Sequence, residues 1–277
     1  MARRHAGNQR DAYLVVPFPR LRRVLALMYP AVQRAHKTRG LIEVDVTEAR
    51  QYLREHETET GEALSFTAFI VACLAHAVDE NKVLNACRKG SKRLAIFDDV
   101  DVAVPIERDM QGRKQPIVYC VRGANRKSVQ QITHEIRAAQ VAAVETTWEG
   151  FRAERWLVRV PMMVLKGIWA IFWWARGRYP RLQKRYGGTV GLTAVGMFGN
   201  GGGWAIPFDY HTLDVAVGGI AEKPGVVDGN IAIREYLCVT LSFDHDIIDG
   251  APAARFVSRF RELIASGYGI RVRVTSR

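Results

Sequence analysis

From Ser65 to Val78 the chain is apolar on nearly every side of a helical wheel, with Phe69, Ala72 and Cys73 on one face and His76 a turn further along. Such a helix must be buried, and Ser65 is placed to cap it. The alternating, β-branched stretch Leu41 to Val46 predicts a strand, and Thr47 a cap for a short helix through His56. Strands follow at Arg93–Phe97, Val100–Ile106 and Pro116–Val121, the last two separated by the turn Asp109-Met110-Gln111-Gly112. Ser128 opens a helix to about Ala143 with Ile132 and Ile136 on one face. Later strands are read at Thr189–Val195, Thr212–Val217 and Ile231–Phe243, and a final helix at Ala253–Ala265 carries Phe256, Phe260 and Ile264 at helical spacing. Near the start, Leu21 to Lys37 reads as a helix interrupted by Pro30. Strands and helices mixed in this order, with no repeat of fixed period, predict an α/β two-layer sandwich with a mixed sheet. It forms a single domain over residues 20–268, between basic tails at 1–19 and 269–277.

One segment breaks the pattern. Residues 151–187 hold nine Lys/Arg and one Glu, and Trp148 to Trp174 contains five of the six tryptophans. The apolar centre, Val160 to Ala175, is interrupted at Lys166 and preceded by Arg159, so it falls short of the ~20 apolar residues of a membrane span. Two readings of the insertion at about 146–187 stand: a helical unit buried against protein or a neighbouring subunit, and an interfacial helix on acidic lipid.

Forty Lys+Arg against 28 Asp+Glu give a net charge of +12, which predicts anionic partners: nucleic acid, acidic headgroups or a phosphate-bearing cofactor. Ordinary apolar and charged shares, 48% and 25%, exclude disorder, collagen and coiled coil. The basic residues form no nucleic-acid-reading motif, so nucleic acid is set aside. Cys73, Cys87, Cys120 and Cys238 make no C-x-x-C pair; reduced thiols in a cytoplasmic protein follow.

The chemistry concentrates in Leu241-Ser242-Phe243-Asp244-His245-Asp246-Ile247-Ile248-Asp249-Gly250, where a long apolar strand ends and a helix begins. The spacing His-x-x-x-Asp-Gly puts an imidazole and a carboxylate within one tight turn, with Gly250 free to take unusual backbone angles. Histidine is the side chain suited to proton transfer near neutral pH. A structural histidine is the competing reading. The other histidines offer no ligand-type spacing to His245, so no metal is expected.

Ser242-Phe243-Asp244-His245, followed by Asp249-Gly250 and Ala251-x-Ala253-Ala254-Arg255-Phe256, resembles the catalytic domain of the dihydrolipoyl acyltransferases of 2-oxoacid dehydrogenase complexes, within the chloramphenicol acetyltransferase-like superfamily. Ile42 to Thr47, Leu84-Asn85-Ala86, Val100 to Pro105 and Gly188 to Gly199 look like further landmarks in family order. The likeness covers about residues 20–145 and 187–268.

The resemblance implies direct acyl transfer between a coenzyme A thioester and a thiol, with His245 as the base. Thr193 stands where the family has an oxyanion-stabilising serine and Asp249 where a carboxylate orients the turn. Arg22, with Arg23 as its near miss, would pair with Asp249. It also implies a homotrimer with sites between subunits, capable of a larger assembly. Arg108, Arg113 and Lys114 lie near the family's coenzyme channel without matching it residue by residue, and Gly199 to Gly203 reads as a phosphate cradle or a plain loop. Two departures stand out. Asp246 replaces the family's arginine after the histidine, and no lipoyl domain is read in the chain, so a lipoyl group would come from another protein. A scaffold that kept the fold and lost the chemistry, peripheral to a membrane through the insertion, is the alternative.

Overall fold

The computed structural model describes residues 3–5, 13–18, 23, 26–27, 35–110, 113–141, 160–195 and 201–270. Its centre is a six-stranded sheet built from β3 (Lys37–Asp45), β6 (Val102–Met110), β7 (Arg113–Val121), β8 (Val190–Ala194), β9 (Leu213–Val227) and β10 (Asn230–Asp244). The strand order is β3-β10-β9-β8-β6-β7, with β8 parallel to both neighbours and every other pairing antiparallel. Two small antiparallel pairs stand apart: β1 (Arg3–His5) with β2 (Tyr13–Val15), and β4 (Ala86–Lys89) with β5 (Arg93–Ile96).

Helices α1 (Thr47–Thr60), α2 (Phe66–Glu80), α3 (Val129–Val141) and α6 (Gly250–Ala265) pack on one face. They bury Phe69, Leu74, Ile132, Phe256 and Phe260 against Val44, Val104, Leu192, Val215 and Leu241. This is the expected mixed-sheet sandwich. α2 is buried along most of its length, and Ser65 Oγ accepts from Ala68 N at 3.4 Å. His76 has structural partners: it lies 3.2 Å from Glu80 and stacks on Tyr268.

Several boundaries move for identifiable reasons. Thr47 does not cap α1; its N and Oγ1 both donate to Asp45 Oδ1, which takes the capping role from outside the helix. The β6–β7 pairing runs out to Met110 and Arg113, so Asp109 and Met110 belong to the strand rather than to the turn. β9 extends ten residues beyond Val217 because Asp228 (φ 49°) and Gly229 (φ 81°) supply the left-handed pair of a two-residue hairpin turn. The expected interrupted helix at 21–37 falls largely outside the described residues.

The opposite face of the sheet is covered by residues 201–212. Gly203 bridges Gly219, and an added Cβ on Gly218 or Gly219 would lie 2.0 Å from the carbonyl oxygen of Gly203 or Gly201. Only glycine lets the two backbones approach so closely. The insertion forms α4 (Met162–Arg178) and α5 (Pro180–Gly187), which meet the body at β4, Gly90 N bonding Gly177 O at 2.8 Å.

Candidate active site

β10 is an inner strand, and at Asp244 its ladder with β3 runs out at Lys37. The chain turns at once. Ile247 N and Ile248 N both bond Asp244 O, at 3.0 and 2.9 Å, and Asp246 N bonds Asp244 Oδ1 at 3.1 Å. Buried Ile248 anchors the turn in the core, and α6 starts at Gly250 with Asp249 at its N-cap position.

His245 sits at the crest. Its backbone N donates to His36 O at 2.8 Å, its side chain is exposed, and no described residue hydrogen-bonds its ring. The imidazole is therefore open to reactants, not sealed in the interior. Asp249 makes no side-chain cap bond. Gly250 does not use the freedom expected of it: its φ is not left-handed, and an added Cβ there would meet nothing within 4 Å.

Asp246, the departure beside His245, is held on both oxygens: His36 Nδ1 lies 2.9 Å from Oδ1 and Arg88 Nη1 2.9 Å from Oδ2. The His36 hydrogen bond, with the positive charges of His36 and Arg88 added to it, holds this carboxyl below the usual carboxylate range. The negative charge is thus held mainly by His36 and Arg88, and the nearby charge of His245 adds to their pull.

Behind the turn is a second polar cluster with no counterpart in the sequence reading. Asp214 accepts from His211 N at 2.7 Å; its Oδ1 lies 2.6 Å from His211 Nδ1 and its Oδ2 3.7 Å from Lys37 Nζ. His211 Nε2 reaches Gly187 O at 2.7 Å, tying the end of α5 to the sheet. Burial by itself would raise the Asp214 carboxyl, but the charge and hydrogen bonds of His211, with Lys37, outweigh it and bring it below its ordinary value. A cavity of about 140 Å³ lies between this cluster and the turn, lined by Arg88, Trp173, Arg176, Tyr210, Asp244 and Ile247 among others. None of these partners has a local signature. His211 and Asp214 are three residues apart, but Lys37, Gly187 and the other walls of the cavity reach them from distant positions.

Thr193 is elsewhere. Leu192 packs into the helix-covered core, so its neighbour Thr193 faces the other side of the sheet, half-buried. The register places Thr193 beside Ala216 and Ala216 beside Thr240. Two strand spacings and five residues along β10 then separate Thr193 from His245 by roughly 20 Å within one chain. Arg22 lies outside the described residues, as do 199–200 of the segment Gly199 to Gly203. Arg108 sits toward the far end of the β6–β7 hairpin, paired with Gln115. A larger cavity of about 520 Å³ opens between α1, α2 and the sheet, lined by Arg50, Phe66, Thr67, Leu192, Ala194 and Leu237 among others. Among the described residues no three His, Cys, Asp or Glu side chains converge as metal ligands.

A mixed sheet with helices on one face, an inner strand followed at once by an exposed histidine and a helix starting five residues after it define a catalytic domain of the acyltransferase class. The chain belongs to the family of the 2-oxoacid dehydrogenases acyltransferase (catalytic domain), whose model matches residues 11–149 and 174–269. Dihydrolipoyllysine-residue acetyltransferase components of pyruvate dehydrogenase complexes are similar to it. That of Zymomonas mobilis is 39% identical over 98 residues, 35% of this chain and 22% of the relative. That of Bacillus subtilis is 26% identical over 230 residues, 80% of this chain and 43% of the relative. The chain thus spans less than half the length of these two relatives. A structure of Azotobacter vinelandii dihydrolipoamide acetyltransferase, studied for the roles of a serine, a histidine and an asparagine in catalysis, superposes with a TM-score of 0.66 at 20% identity. It covers 92% of this chain and 93% of that one. The internal unmatched stretch, 150–173, falls inside the Trp/Arg-rich insertion.

Proposed function

We propose that the protein transfers an acyl group between coenzyme A and a second thiol, with His245 as the general base. The observation that carries the reading is the exposed imidazole, unpartnered among the described residues, on a turn whose backbone N–H groups from Asp244 to Ile248 are all hydrogen-bonded. In the Azotobacter enzyme the serine precedes the histidine by 52 positions and the asparagine follows it by four; Thr193 and Asp249 stand at the same offsets from His245. Asp249 replaces an amide with a carboxylate, and Thr193 keeps a hydroxyl.

The His245 ring takes the thiol proton as sulfur attacks the thioester carbonyl. Thr193 Oγ1 donates to the oxyanion, and collapse expels the other sulfur, which recovers the proton from the imidazolium. No group on the enzyme is acylated; both substrates meet at the ring, where proximity supplies much of the rate. Thr193 and His245 cannot meet within one chain across roughly 20 Å of sheet, so a neighbouring copy supplies the hydroxyl, which fits a homotrimer with sites between subunits. The net charge of +12 favours capture of the phosphates of coenzyme A. The acceptor thiol is a dihydrolipoamide, or another free thiol.

Formation of acetyl-dihydrolipoamide from acetyl-CoA, followed by mass spectrometry, tests this. H245A should lose ~100- to 10,000-fold in kcat. T193A should lose ~100- to 1,000-fold, with T193S restoring most of it. Equal rates for wild type and H245A would remove His245 from the mechanism. No transfer by the wild-type trimer would favour the scaffold alternative.

A further inference from the structure

α4 is apolar around most of its circumference, and the body of the protein covers only part of it. One side is packed: Leu165 is buried, Trp173 lies 5.7 Å from the Tyr210 ring, and the Arg176 guanidinium stacks 4.2 Å above that ring. The other side carries Met163 (84% exposed), Val164, Ile168, Ile171 (67%) and Trp174 (67%). With Gly167 and Ala170 between them, these span roughly 160° of the helix surface. A helix so apolar is ordinarily buried all round, and a contiguous exposed stripe marks a surface that something covers.

Charge identifies the occupant. Residues 160–187 hold six Lys/Arg and no Asp or Glu, and Lys166, Arg178, Arg181 and Arg185 are exposed. A second copy of this surface would bring like charges together. A protein partner would call for about one hydrogen bond per 100–200 Å², whereas the stripe offers a single polar atom, the Trp174 indole N–H. Acidic lipid matches both features: the cations meet headgroups and the apolar arc enters the acyl boundary. Seventeen residues make about 25 Å of helix, and no described helix is long and apolar enough to cross a membrane.

We propose that α4 lies flat on an anionic lipid surface through the Met163–Trp174 stripe. Its inner side lines the cavity beneath the His245 turn, so the docked protein holds that turn about one helix diameter, ~10 Å, from the bilayer. This stands independently of the chemistry assigned to His245.

Co-sedimentation with vesicles of phosphatidylcholine alone and vesicles containing phosphatidylglycerol decides it. Binding should require phosphatidylglycerol, weaken at high salt, and vanish in I171E/W174E. The K166Q/R178Q/R181Q variant should bind more weakly by roughly fivefold for each cation removed. The altered side chains face solvent, so circular dichroism should be unchanged. The charge variant tests the surface even if the stripe variant does not fold. Failure of wild type to sediment, or undiminished binding by both variants, overturns the proposal. So does light scattering that shows I171E/W174E falling apart into smaller oligomers without any vesicle binding by wild type, because the stripe is then a subunit contact.

Discussion

Replacing Asp214 by alanine should be among the most damaging single changes outside the hydrophobic core. Its carboxylate is 4% exposed and faces Lys37, itself 6% exposed, together with His211. Two short hydrogen bonds end on it, from His211 N at 2.7 Å and from the ring at 2.6 Å. Bonds to a charged acceptor are worth ~1.5–3 kcal/mol each. Lys37, at 3.7 Å, adds charge rather than a hydrogen bond. Alanine would leave the Lys37 ammonium buried with its nearest counter-charge gone, and breaking a buried pair from one side costs ~3–5 kcal/mol. For a chain of this size that is a fall in Tm of roughly 10 °C. D214N keeps an acceptor for His211 N and should lose about half as much. Thermal and urea unfolding, with m-values compared, give the measurement. The folded carboxyl titrates below its unfolded value, so its contribution is present above about pH 4 and lost as pH falls through the folded pKa. The gap between wild type and D214A should therefore close in acid. A loss below ~1 kcal/mol at neutral pH, or a gap unchanged in acid, would show that the cluster is solvated and that the reasoning fails.

Two further outcomes can be checked by the same unfolding experiments. G218A should cost ~1–3 kcal/mol, because its methyl would meet the Gly203 carbonyl oxygen at 2.0 Å; a neutral result would mean that residues 201–203 yield freely. Burial pushes the Cys87 thiol up to about 11 and that of Cys120 to about 12, while Arg176 and Arg122, respectively, pull the other way. The unfolded chain loses these protons first, so stability should fall as pH rises above ~8.5, by up to ~1.4 kcal/mol per pH unit for each thiol. Neither thiol should react with a disulfide reagent at pH 8 before unfolding; rapid labelling of the native protein would contradict this.

Elements whose signals are local were legible in the sequence. The buried α2 with its serine cap, the Ser128 start of α3 and the apolar spacing of α6 follow from contacts a few residues apart. So does the turn between β10 and α6, whose strand-end histidine and following Asp-Gly are written within ten residues. Local reading stopped short wherever a partner lay far along the chain. The extension of β9 was missed because Asp228-Gly229 went unread as a turn. Asp246 looked like a charge placed against the base until the fold brought His36 and Arg88 to it. His211, Asp214 and Lys37 become one cluster only when β3, β9 and the loop before it are side by side. Residue spacing likewise cannot show that Thr193 and His245 are separated by two strands and five residues, since distance across a sheet depends on strand order and register. The periodicity of side chains is a property of the backbone and travels with the chain. Burial and charge compensation depend on which surfaces meet, and that is decided only when the layers have packed.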